Sequence, residues 1–206
     1  MIRSAFNFDL KIDRDIALMT IAVTILMTAD YYYDFTGIIA LDRFILYLLV
    51  PMALIVFVER NSPREYGFRL GDWRAGLVLT ATVILLSIPI LWLVTANDAS
   101  MQAYYQPRYN AAMPLITFLD LIGWEFMFRG WLVFGYGRVM GANALWVQAV
   151  PFALGHLGKP GIETFSTMFG GFLVGVVAWR TRSFLYPFLI HWFISSFTIW
   201  VAAGTF

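Results

Sequence analysis

Seven apolar stretches, each close to the length of a bilayer-spanning helix, constrain this chain more than any other feature. They run at about 16–33, 37–58, 76–96, 115–136, 142–156, 164–180 and 184–203. A hydrocarbon core about 30 Å thick calls for about 20 apolar residues in a helix, because each backbone N–H and C=O must be satisfied within the segment. The third stretch contains LVLTATVILLSIPILWLVTA, without a charge, and the fifth is the shortest. No repeat, low-complexity tract or linker interrupts the series. The expectation is an all-α polytopic membrane protein. It has a single transmembrane domain over residues 1–206, with about seven transmembrane helices in a single bundle.

Composition agrees with this. The chain is 60% hydrophobic and 13% charged, with a mean hydropathy of +0.72, against about 25% charged residues in a soluble domain. A net charge of +1 without a basic run excludes a nucleic-acid partner. The absence of cysteine excludes a thiol nucleophile, a disulfide framework and a cysteine-ligated metal. The start, MIRSAFNFDLKIDRD, residues 1–15, lacks the features of a signal peptide and reads as an amphipathic segment on the membrane surface.

Lys and Arg set the expected orientation. If the helices alternate, Arg3, Lys11, Arg14, Arg60, Arg64, Arg69, Arg74, Arg138, Arg180 and Arg182 fall on one side, and Arg108 and Lys159 on the other. The N-terminus is therefore expected in the cytoplasm, with the chain integral to a bacterial or archaeal inner membrane. Tyr31, Tyr32, Tyr33, Tyr104 and Tyr105 suit the external aromatic belt. Gly171 and Gly175 are spaced for a close helix contact.

Ionisable residues at membrane depth are costly and mark functional candidates. Here they are Asp120, Glu125, Arg129, His156 and His191, with Asp42 and Arg43 near a helix end, where they can snorkel. Glu125 and Arg129 are four residues apart and share a helical face. They suit a self-neutralising structural pair, or, with both histidines, a polar pocket in the membrane. A carboxylate with two imidazoles suits water activation with oxyanion stabilisation. It equally suits a zinc site of His156, His191 and Glu125, though the compact His-Glu-x-x-His helix is absent.

In order along the chain, WEFMFRG (124–130), FALGH (152–156) and HWFIS (191–195) resemble the three motifs of the CAAX-protease and bacteriocin-processing (Abi) family of intramembrane proteases. Those motifs are Glu-Glu-x-x-x-Arg, Phe-x-x-x-His and His-x-x-x-Asn or Asp. EYGFRLGDWRAG is similar to a cytoplasmic loop of the family, and the resemblance covers roughly residues 60–200. It implies cleavage of a membrane-anchored peptide or protein within or beside the lipid. It places Glu125 at the second glutamate, Arg129 at the arginine, and His156 and His191 at the two histidines. In the family the first glutamate activates water with the first histidine, and the third motif holds the oxyanion. No cofactor is expected beyond a zinc ion if a metal takes part.

The chain departs from the motifs at two positions. Trp124 stands at the first glutamate and Ser195 at the final Asn or Asp. Ser195 still offers a hydrogen-bond donor; an indole offers one N–H and no base. Trp124 points about 100° from Glu125, so its bulk is expected to exclude the attacking water. Glu163, in the loop after His156, is the substitute carboxylate. The alternative is a non-catalytic member of the fold, a scaffold or accessory subunit bound to partner membrane subunits. A retinal protein is excluded, because the only lysines are Lys11 and Lys159. One geometric condition attaches to the pocket. Upright helices would hold His156 and His191 about 10 Å apart in depth at about 1.5 Å per residue, so tilt or bending must close that gap.

Overall fold

The structure, a computed structural model, describes residues 13–205. Of the N-terminal segment read as amphipathic, residues 1–12 lie outside the described residues. All seven apolar stretches form helices. α1 is Arg14–Tyr32, α2 is Ile39–Val58 and α3 is Trp73–Asn97. A short α4, Ala99–Tyr105, follows and was not foreseen. α5 covers 113–140, α6 is Ala144–Leu154, α7 is Gly161–Thr181 and α8 is Leu185–Ala202. Local signals set the boundaries. Asp13 caps α1 through the N–H groups of Asp15 and Ile16, Asp72 caps α3, and Asp98 caps α4.

α1, α2, α3, α7 and α8 are long and apolar enough to cross a membrane, and a sixth span counts if the bent pair of α4 and the helices after it is one crossing. The expectation of about seven spans is corrected at α6. Its 11 residues reach only about 16 Å, about half of a bilayer core. α5 is the central helix, with residues 123–136 all buried, and it is apolar on every side but for the charges of Glu125 and Arg129. Glycines let its neighbours approach. A Cβ on Gly123 would stand 2.6 Å from the Arg43 carbonyl oxygen of α2, and one on Gly135 would meet Met19 of α1 at 2.1 Å. The chain reverses between α5 and α6 at Gly141, whose φ of +58° favours glycine.

α7 lies close against α6, as the Gly171–Gly175 spacing predicts. A Cβ at 171 would be 2.8 Å from Phe152, and one at 175 would be 3.0 Å from the Gln148 amide. The Gln148 side chain donates to the Gly171 carbonyl at 3.0 Å. At one end of the bundle the connection before α3 packs on the turn after α7. Arg180 pairs with Asp72 at 2.8 Å, the Arg69 guanidinium donates to the Arg182 carbonyl, and Arg138 pairs with Glu65 at 3.1 Å. The basic loops assigned to one side are thus brought together. Asp72 is held below the usual carboxylate range by the Ala75 N–H and then by Arg180.

Candidate active site

Glu125 ends the regular part of α5, and a π-helical segment, Phe126–Leu132, carries Arg129. Each residue of the wider π turn rotates by less than the about 100° of an α-helix, so the residue four positions on returns nearer the same face. Arg129 Nη1 lies 3.3 Å from Glu125 Oε1, and both side chains are shut off from solvent. The Arg129 guanidinium also lies over the Phe152 ring, its carbon 3.6 Å from the centroid, where the ring's quadrupole favours a cation.

His191 joins the pair from α8. Its Nδ1–H donates to Glu125 Oε1 at 2.6 Å. The ring is placed by α8's anchors on α5: Trp192 Nε1–H donates to the Pro114 carbonyl at 2.8 Å, and the Thr117 and Ser196 hydroxyls are 3.2 Å apart. His156 sits in the turn after α6 and donates through Nδ1 to the Phe152 carbonyl at 2.8 Å. A carbonyl only accepts, so Nδ1 carries the proton and a neutral His156 keeps its lone pair on Nε2. The Thr164 hydroxyl fixes the same turn through the His156 carbonyl. The two imidazoles lie 6.3 Å apart between centroids with planes 24° apart. The expected gap in depth is closed, because short α6 ends within the bundle and brings His156 to the level of His191.

Glu125, Arg129, His156, His191, Glu163 and Ser195 all line one cavity of about 1170 Å³, as does Trp124. The Glu163 carboxylate accepts from the Tyr105 hydroxyl at 2.6 Å and from Lys159 at 2.8 Å. It ties α4 to the start of α7. The Trp124 indole is wedged among Tyr47, Phe128, Phe152 and His156, at 5.9 Å edge-on to the last. Gly155 makes room for it, since a Cβ there would stand 2.7 Å from the indole.

Two groups of residues went unforeseen. Arg43 does not snorkel. It bridges Asp30 of α1 and Asp120 of α5, at 3.1 and 3.2 Å, and its guanidinium lies over Trp124. Asp42 is also buried, accepting from the Phe35 N–H. Phe152 is the first residue of the FALGH stretch, and nothing in the sequence assigns it a contact, yet it touches Arg129 and both histidines. Among the described residues no three His, Asp or Glu side chains are grouped as a metal ion would require. Nδ1 of each imidazole is engaged within the protein, which leaves each ring's Nε2 free among the described residues, and Glu125, on the Nδ1 edge of His191, is placed to orient that ring.

Residues 107–197, which contain every candidate of the site, match the model of the family described as Type II CAAX prenyl endopeptidase Rce1-like. Neither a curated protein nor a solved structure matches the chain.

Proposed function

Because residues 107–197 match the model of the Rce1-like family of type II CAAX prenyl endopeptidases, we propose that this polytopic membrane protein is an intramembrane endopeptidase acting on a membrane-anchored peptide or protein. The observation that carries the proposal is the Glu125–His191 pair in a cavity shared with a second, separately anchored imidazole. A carboxylate on Nδ1 orients an imidazole and stabilises positive charge developing on it. His191 Nε2 takes a proton from water as the water oxygen attacks the amide carbon. The same proton then passes to the leaving nitrogen as the C–N bond breaks, giving a carboxylic acid and an amine, between which the remaining acidic proton equilibrates to carboxylate and ammonium. Arg129 neutralises Glu125, and His156, with its lone pair on Nε2, is a second base in the cavity. No step is routed through a metal.

A second proposal is favoured by one residue. Trp124 fills the position at which the family motif has its water-activating glutamate, and an indole cannot take a proton. On this view the chain is a scaffold or accessory subunit for partner membrane proteins. One experiment separates the two: cleavage of a lipid-anchored peptide library in nanodiscs. The peptidase reading expects cleavage by wild type, lost at least 100-fold in His191→Gln and in His156→Gln. No cleavage by wild type, with activity gained in Trp124→Glu, would establish the scaffold reading instead. Glu163→Gln tests the substitute carboxylate. Its ties to Tyr105 and Lys159 favour a structural role, so the variant should retain cleavage.

The orientation proposed for the bundle puts the end holding Arg69, Arg138, Arg180 and Arg182 in the cytoplasm. The chain has no cysteine, so single replacements report cleanly. Arg64→Cys should be protected from an impermeant maleimide in intact cells, and Asn110→Cys should be labelled. The reverse pattern would invert the assignment.

A further inference from the structure

We propose that the Trp124 indole N–H binds a carbonyl oxygen of the peptide substrate in the cavity. The proposal rests on the peptidase reading for its choice of ligand. Among the described residues, few buried side-chain polar atoms lack a hydrogen bond, and four of those are on one stretch of α5. They are Trp124 Nε1, Glu125 Oε2, Arg129 Nε and Arg129 Nη1, and all three residues line the cavity. Leaving buried donors and acceptors unpaired is costly, and native structures rarely do so without a reason. A peptide unit supplies what these atoms need: a carbonyl oxygen for an N–H donor, and an amide N–H for a carboxylate oxygen.

Trp124 is built as a fixed donor. Its side chain is only 6% exposed. Tyr47, Phe128 and Phe152 hold the ring on three sides, and the His156 imidazole meets it at 5.9 Å. The backbone preceding His156 is shaped around the indole, since a Cβ at Gly155 would stand 2.7 and 3.0 Å from two of its ring carbons. A donor fixed beside the imidazoles stabilises charge that develops on a carbonyl oxygen bonded to it. At the position of a catalytic carboxylate, this chain thus carries a hydrogen-bond donor, and the bulk expected to obstruct the site becomes part of its wall.

The test pairs two probes with two proteins in nanodiscs. Both probes are palmitoylated tetra-alanine peptides whose central amide is replaced, in one by a ketomethylene group that keeps the carbonyl, in the other by an ethylene group that lacks it. Wild type should bind the ketomethylene probe about tenfold more tightly than the ethylene probe, as a buried hydrogen bond predicts. Trp124→Phe, which removes the N–H and keeps an aromatic ring, should bind both alike. If Phe at 124 unfolds the bundle, 3-benzothienylalanine at that position replaces only the N–H by sulfur. An equal preference in wild type and in the folded variant would overturn the proposal, as would failure of wild type to bind either probe. Neither probe can be cleaved, so the result is independent of hydrolysis. Loss of the preference without cleavage of the parent peptide would refute the peptidase reading alone. Cleavage without any dependence on the N–H would refute this inference alone.

Discussion

A carboxylate and a guanidinium buried side by side in α5 are stable only together. Glu125 also receives the His191 N–H, while Arg129 has Glu125 and the rings of Phe152 and Phe128. Removing one charge leaves the other stranded in an apolar bundle, which costs more than removing both. Glu125→Gln should therefore destabilise the protein by about 3–5 kcal/mol, and adding Arg129→Met should recover a large part of that loss. Thermal unfolding of the two single variants and the double in one lipid checks it; additive losses would refute the coupling. The pairing was legible in the sequence, because a four-residue spacing on an apolar helix leaves the two charges little choice of partner. The Arg43–Asp30–Asp120 cluster was not. Its members come from three helices, and nothing local in the chain says that α1, α2 and α5 meet at that depth.

At the scale of elements, hydropathy located every long helix to within a few residues. It could not show where a helix bends, and two departures from regular geometry assemble the site. One is the π-helical segment that carries Arg129, whose four-residue spacing from Glu125 already sets their shared face. The other is α4, too short to stand out as an apolar run, which carries Tyr105 to Glu163. The convergence of the histidines was left open by the sequence for the same reason, since spacing along a chain says nothing about how far a helix penetrates. The Tyr105–Glu163–Lys159 cluster ties α4 to the turn that presents His156. Tyr105→Phe should loosen that tie while sparing the central helix. Amide exchange across 99–108 should rise about fivefold, the equivalent of one ordinary hydrogen bond, with α5 unchanged. Equal protection in both proteins would show that apolar packing alone holds α4.

The whole molecule is one bundle wrapped around α5, with its cavity on the side where α6 stops short. That shortness has a consequence for the lipid around it. Where the neighbouring helices reach across a full hydrocarbon core of about 30 Å, α6 offers about 16 Å of apolar length. The turn that follows it joins α6 to the start of α7: Lys159 pairs with Glu163 in the first turn of α7, and His156 is buried beneath. Lipids beside α6 meet a shorter apolar wall than those beside α3, and a local thinning of the bilayer there is the expected response. Its unfolding temperature in nanodiscs should fall steadily as acyl chains lengthen from 14 to 20 carbons, a series on the order of a few ångströms of mismatch, and a flat response would mean that other helices shield α6 from lipid. Chain length in the host membrane thereby becomes a determinant of how well His156 is held, and the bilayer itself acts as an outer layer of the site.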